Sequence, residues 1–145
     1  GDLSASNKAD VFSAFEPENN AQVRQPLAEV LKASRFGWNP RRLAPAAYRK
    51  SVRESSFVIS PPGRGLDCHR TWESIYLGAV PVVLEGTLAP SLLSSLPILA
   101  VSDFDEFLAL NSEKMAALRA EFQFAVLQKA LMPYWVNQVM TRAHA

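Results

Sequence analysis

Residues 56–84 read SFVISPPGRGLDCHRTWESIYLGAVPVVL, and this stretch decides the fold of the chain. It begins with an apolar segment at residues 56–59, of the kind that forms a short buried strand. A turn rich in proline and glycine follows, then a helical pattern that ends at Gly78, then a second apolar segment at residues 80–84. A strand, a helix and a second strand in this order predict a βαβ unit with parallel strands.

The rest of the chain continues this alternation of strands and helices. Three more strands are predicted at residues 11–15, 34–38 and 97–101, which makes five in total. Helices are predicted at residues 21–32, 45–53 and 103–110, at a short segment opening at Thr87 or Pro90, from Ser112, and at residues 122–142. The pattern predicts the α/β class: a Rossmann-like parallel sheet of about five strands with helices on both faces. Ligands of such sheets bind at the carboxyl ends of the strands.

The length of 145 residues fits one domain, residues 1–145, with C-terminal helices from about residue 112. Hydrophobic residues make up 48% of the chain and charged residues 20%, which is ordinary for a globular protein. The formal net charge of +1 gives no support to nucleic-acid binding, which needs a strong basic excess. The single cysteine excludes an internal disulfide, and no apolar run approaches the roughly 18 residues of a membrane span.

The turn after the first strand does not match the two common phosphate motifs. The dinucleotide fingerprint needs a third glycine three residues after the second, but Cys68 stands there after Gly63-Arg64-Gly65. The P-loop needs a lysine followed by serine or threonine directly after its second glycine, and these are missing. Neither motif is present.

The turn still has the chemistry of an anion site. Asp67 is a good N-cap residue and places His69 and Arg70 in the first helical turn. That helix start offers backbone N–H groups and a partial positive charge, and Arg70 adds a planar cation matched to phosphate oxygens. Gly63 and Gly65 allow a ligand to approach the backbone closely. A diphosphate is the ligand that this arrangement predicts.

Glu73 extends the predicted site along the helix. It lies three residues after Arg70 and shares its face, so it can accept hydrogen bonds from ribose hydroxyls while Arg70 binds phosphate. Trp72 and Tyr76 are predicted to lie in the core. The spacing therefore predicts a nucleotide lying along the helix start.

Simpler interpretations of the same residues stay open. Arg70 and Glu73 have the spacing of a surface ion pair. Asp67 can be a helix cap without any part in catalysis. Cys68 can be a small packed residue and not half of a catalytic pair with His69, since adjacent helical residues do not face each other. His69 can donate to a phosphate or play no part in binding.

Together these residues resemble a known family. The segment 57–65 with Asp67, His69-Arg70, Trp72-Glu73, Gly78 and residues 81–83 is similar to the C-terminal half of the exostosin-like glycosyltransferases, which have the two-domain GT-B fold. The resemblance is most specific over residues 56–84. It extends more weakly over residues 11–110, where it includes the loop at Asn19-Asn20 with Arg24, and residues 96–99.

The resemblance implies a donor site for a nucleotide diphosphate-sugar such as a UDP-sugar. Gly63, Arg64, Gly65, Asp67 and His69 would surround the diphosphate. Arg70 would counter its charge and Glu73 would hold the ribose, while the segment 85–87 lies on the same edge of the sheet. Such enzymes use the sugar nucleotide as substrate and generally need no bound metal or other cofactor. Asp103 and Asp105 have the spacing of a metal motif but are predicted to cap a helix. No catalytic residue is assigned.

The resemblance also implies partners. A GT-B enzyme has a preceding N-terminal domain that binds the acceptor, here a glycan or other hydroxyl compound. Without that domain, residues 1–145 are expected to bind a nucleoside diphosphate but not to transfer sugar. Two other functions remain: a non-catalytic module that binds nucleotides or phospho-ligands, and a domain that docks partners through the aromatic residues Phe122, Phe124, Tyr134 and Trp135.

Overall fold

A computed structural model describes residues 9–38, 43–63 and 69–122 of the chain. The predictions for Arg64, Gly65, Asp67 and Cys68 lie outside the described residues. So does the predicted C-terminal helix after residue 122.

Four strands form one parallel sheet in the order β1-β2-β3-β4. The strands are β1 Ala9–Phe12, β2 Ser55–Ile59, β3 Val80–Leu84 and β4 Leu99–Val101. The α/β class with a Rossmann-like parallel sheet is confirmed. About five strands were expected and the described part of the chain has four, because the strand predicted at residues 34–38 is wrong.

Six α-helices lie within the described ranges, with a short 3-10 helix at Pro17–Asn20. The helices are α1 Ala21–Ala33, α2 Pro45–Arg53, α3 His69–Tyr76, α4 Pro90–Ser95, α5 Phe104–Leu108 and α6 Ser112–Ala120. Each of them is too short or too polar to span a bilayer.

Both faces of the sheet are covered by helices. Side chains alternate along each strand, so Phe57 and Ile59 lie in one apolar cluster while Val58 lies in another. Helices α1, α5 and α6 pack in the first cluster. The opposite face receives α2, α3 and α4, the helices that directly precede β2, β3 and β4. Strands buried on both faces explain the continuous apolar runs in the sequence.

The strand order contains no reversal among the four described strands. A complete doubly wound sheet has such a reversal, and its ligands bind beside it. Because the described strands show no reversal, the candidate site is located by the carboxyl edge of the sheet alone. The strands β2 and β3 end side by side at this edge.

Residues 34–38 leave α1 through a turn instead of a strand. The Ser34 N–H and hydroxyl both donate to the Leu31 carbonyl, at 3.1 and 2.8 Å, and the Phe36 N–H donates to the Ser34 hydroxyl at 3.2 Å. Gly37 has a φ of 73°, in the left-handed region that glycine favours. These local hydrogen bonds occupy backbone and side-chain groups at the exit from the helix, and Gly37 bends the chain away from an extended path.

The buried face of α3 was predicted correctly at Trp72 and wrongly at Tyr76. Trp72 and Ile75 are buried against the sheet, whereas Tyr76 is 57% exposed. Each helical residue advances by about 100° around the axis, so the residue after Ile75 turns away from the sheet toward solvent.

Hydrogen bonds of two arginines connect α6 to β1 and to the residues that precede β3. The Arg35 Nη1 donates to Asp10 Oδ2 at 3.2 Å and to Ser112 Oγ at 2.8 Å, which joins β1 to the start of α6. Arg119, near the end of α6, donates from Nη2 to the Gly78 carbonyl at 3.1 Å. Burial lowers the pKa of the Arg119 guanidinium, and this hydrogen bond offsets part of the desolvation.

We predict that Phe57→Ala lowers the free energy of unfolding by about 3–5 kcal/mol. Phe57 is fully buried in β2 and packs edge-on against Phe107, with ring centroids 5.1 Å apart. Urea unfolding measures the loss. The matched aromatic control is Tyr76→Ala, which should change the stability by no more than about 0.5 kcal/mol. A large loss from Tyr76→Ala would contradict its position on the exposed face of α3.

Candidate functional site

The candidate site is the turn that follows β2 at the carboxyl edge of the sheet. β2 ends at Ile59, and the chain then passes through residues 60–63 on the way to α3. Ser60, Pro61 and Pro62 are buried, whereas Gly63 is partly exposed. The turn therefore presents Gly63 to solvent from a rigid base.

Arg24 of α1 holds this turn from one face of the sheet. Its Nε donates to the Pro62 carbonyl at 2.9 Å and its Nη2 to the Pro61 carbonyl at 3.1 Å. Its Nη1 donates to the Glu16 carbonyl at 3.1 Å. The guanidinium lies 5.6 Å from the centre of the Phe15 ring, and the residue is only 4% exposed. A cation buried this deeply, with donors on all three nitrogens engaged, is a fixed part of the fold.

The helical spacing of the sequence indicates that Arg24 is buried, although no structural role was predicted for it. Arg24 stands on the apolar stripe of α1 with Leu27, Ala28 and Leu31, at the spacing of a buried helix face. An arginine at such a position must find buried acceptors, because an unpaired buried polar group is costly. The weak family resemblance included Arg24, but without a role.

Gly63 is packed closely against Arg24. A Cβ atom added to Gly63 would lie 2.9 Å from Arg24 Nη2, closer than such atoms normally approach. The Arg24 side chain cannot easily yield, since its nitrogens are held by three carbonyls. The contact with Arg24 therefore requires glycine at residue 63, whether or not a ligand binds on the exposed side of the turn.

A pair of buried hydroxyls holds the turn from the opposite face. Ser60 Oγ and Thr71 Oγ1 lie 2.7 Å apart, and each residue is 3% exposed. The Ser60 N–H donates to the Val82 carbonyl at 2.9 Å, which continues the pairing of β2 with β3. The first turn of α3 is thereby fixed to the end of β2.

The predicted ligand-binding residues of α3 lie at this edge on the solvent side of the helix. His69 and Glu73 are exposed and Arg70 is partly buried. Within the described ranges the ion pairs are Lys32–Glu29 and Arg35–Asp10, so Arg70 and Glu73 do not form the surface pair that their spacing allowed.

Arg70 Nε is buried, and no acceptor among the described residues takes its hydrogen. A buried N–H without an acceptor costs about 1–3 kcal/mol, so such a group in a native fold needs an explanation. An anionic oxygen bound at the start of α3 would supply the acceptor.

The segment after β3 lies beside the turn. Glu85 is exposed, and its N–H donates to the Val101 carbonyl at 2.8 Å. Gly86 has a φ of 85°, and the Thr87 hydroxyl donates to the Leu84 carbonyl at 2.6 Å. This is a tight turn whose exposed carboxylate stands on the same edge as Gly63, as the sequence predicted.

No group of three or more His, Cys, Asp or Glu side chains positioned for a metal ion occurs in the described part of the chain. The Asp103–Asp105 pair serves as a helix cap: the Asp105 N–H donates to Asp103 Oδ1 at 2.8 Å at the start of α5. The prediction that these residues are caps and first-turn charges is confirmed.

No protein-family model matches this chain, and a comparison with curated proteins found no relative. The exostosin-like assignment therefore remains a prediction from the residues quoted above.

We predict that Ser60→Ala and Thr71→Val each lower the free energy of unfolding by about 1–3 kcal/mol, because each removes a hydrogen bond between two buried hydroxyls. The double variant should lose less than the sum, with a coupling of roughly 0.5–1.5 kcal/mol in a double-mutant cycle. Ser94→Ala removes an exposed hydroxyl bond in α4 and should have almost no effect. Strict additivity of Ser60→Ala and Thr71→Val would contradict the contact between these hydroxyls.

Proposed function

We propose that the chain is the donor-binding domain of a glycosyltransferase of the exostosin-like type, and that it binds a nucleoside diphosphate at the carboxyl edge of its sheet. One observation carries the proposal: Arg70 Nε, at the start of α3, is buried and has no acceptor among the described residues. The turn that contains Gly63 precedes this helix and is held by hydrogen bonds from Arg24 and between Ser60 and Thr71. The start of a helix with an arginine in its first turn is suited to a diphosphate.

The phosphate end of the ligand lies between Gly63 and Arg70 in this proposal. The Gly63 backbone has no side chain to block approach, and Arg70 offers a planar set of donors with a permanent charge. Both residues belong to elements fixed by buried contacts, so little conformational entropy is lost on binding.

The ribose end lies against Glu73. Three residues of helix advance by about 4.5 Å, which is on the order of the separation between a phosphate and the neighbouring ribose. Glu73 is exposed and takes no part in the ion pairs of the described residues, so its carboxylate is available to accept from ribose hydroxyls.

In this proposal, the positive charge of Arg70 and of the start of α3 also assists sugar transfer. When the bond between the anomeric carbon and the diphosphate breaks, negative charge develops on the departing diphosphate. Arg70 and the start of α3 stabilise that charge without a metal ion. The acceptor and the group that removes its proton belong, in this proposal, to a second α/β domain that faces the carboxyl edge.

Titration calorimetry with UDP, GDP and pyrophosphate tests the proposal. We expect the chain to bind at least one of the nucleotides, and Arg70→Ala to weaken that binding by about tenfold or more, which corresponds to about 1.4 kcal/mol or more for a hydrogen-bonded charge pair. Arg49→Ala is the matched control, because Arg49 is an exposed arginine of α2 and should leave the affinity unchanged. A folded sample that binds neither nucleotide would overturn the proposal.

The same titrations separate nucleotide binding from simple phosphate binding. Glu73→Ala should weaken UDP or GDP binding several-fold and leave pyrophosphate binding unchanged, since pyrophosphate has no ribose. Equal affinity for pyrophosphate and nucleotide, with no effect of Glu73→Ala, would favour the non-catalytic phospho-ligand module instead.

A further inference from the structure

We infer that Arg24 is a positioning residue for the ligand, and that it directs the backbone N–H of Gly63 toward the bound diphosphate. The inference rests on the proposed function and assigns the buried face of the site a part in binding. Arg24 does not touch the ligand, since it lies beneath the turn at 4% exposure.

The direction of the Gly63 N–H follows from the geometry of one peptide group. In a trans peptide the carbonyl and the following N–H point in opposite directions. The Pro62 carbonyl accepts from Arg24 Nε at 2.9 Å, so it points down toward α1. The N–H of Gly63 must then point away from α1, toward the exposed side of the turn.

The neighbouring peptide group is oriented to the same effect. The Pro61 carbonyl also points toward Arg24, to Nη2 at 3.1 Å. The peptide nitrogen that follows it belongs to Pro62 and has no hydrogen. Arg24 thus turns two carbonyl oxygens, which would repel phosphate, away from the ligand side. The donor that remains in this part of the turn is the Gly63 N–H, for which no acceptor is found among the described residues.

Lysine cannot replace arginine in this arrangement. A guanidinium presents its donors in a rigid plane and reaches both carbonyls at once, whereas an ammonium is a single point on a flexible stem. Arg24→Lys keeps the positive charge and frees the Pro61 and Pro62 carbonyls to rotate. We therefore expect weaker ligand binding although the charge is unchanged.

Amide resonances in a titration of the nitrogen-15 labelled chain with UDP, or with GDP if that is the nucleotide bound, test the inference. In the wild type, the Gly63 amide should show one of the largest shifts on saturation. In Arg24→Lys, the affinity should fall by about tenfold and the Gly63 shift should largely disappear. A loss of stability alone would not remove the Gly63 shift from the folded, saturated protein.

Arg35→Lys is the control, because Arg35 also makes several hydrogen bonds, lies just after the far end of α1 and should leave binding unchanged. Wild-type affinity and an unaltered Gly63 shift in Arg24→Lys would overturn the inference while the proposed function stands. Absence of nucleotide binding in the wild type would overturn both. If Arg24→Lys does not fold, the wild type decides: a Gly63 amide that does not shift at saturation contradicts the inference.

Discussion

The hydrogen bonds from Arg24 to the Pro61 and Pro62 carbonyls are the contact on which the carboxyl edge depends. A buried guanidinium needs acceptors, and the carbonyls of a buried turn need donors, so each group satisfies the other. The partners lie 37 and 38 residues apart in the chain. The contact therefore requires that α1 packs against the face of the sheet that contains Phe57 and Ile59.

The turn is held from both faces of the sheet. Arg24 reaches it from α1, which packs in the same apolar cluster as Phe57 and Ile59. Thr71 reaches it from α3, which packs on the opposite face with Val83. A segment fixed between two helices loses little further freedom when a ligand binds. In the proposed site, the apolar core would thus contribute to binding by holding the turn in place, without touching the ligand.

Local patterns predicted much of the fold. The bounds of α2 and β3 match the prediction because proline starts the one and a short apolar run defines the other. The strand expected at residues 34–38 failed because the Ser34 cap and the positive φ of Gly37 outweighed an apolar pattern. For the candidate site, Gly63 and the start of α3 were proposed from their own neighbours in the sequence, and both lie where β2 ends. Arg24 was missed because its partners are far away in sequence, and only its place on an apolar stripe gave a signal.

A crystal structure of the chain with bound UDP or GDP is the most direct test of the proposed donor site. We expect a diphosphate oxygen within hydrogen-bond distance of the Gly63 nitrogen and of the Arg70 guanidinium. The Pro61 and Pro62 carbonyls should still face Arg24. A nucleotide bound away from the carboxyl edge, or a diphosphate in contact with Arg70 while the Gly63 N–H points elsewhere, would contradict it.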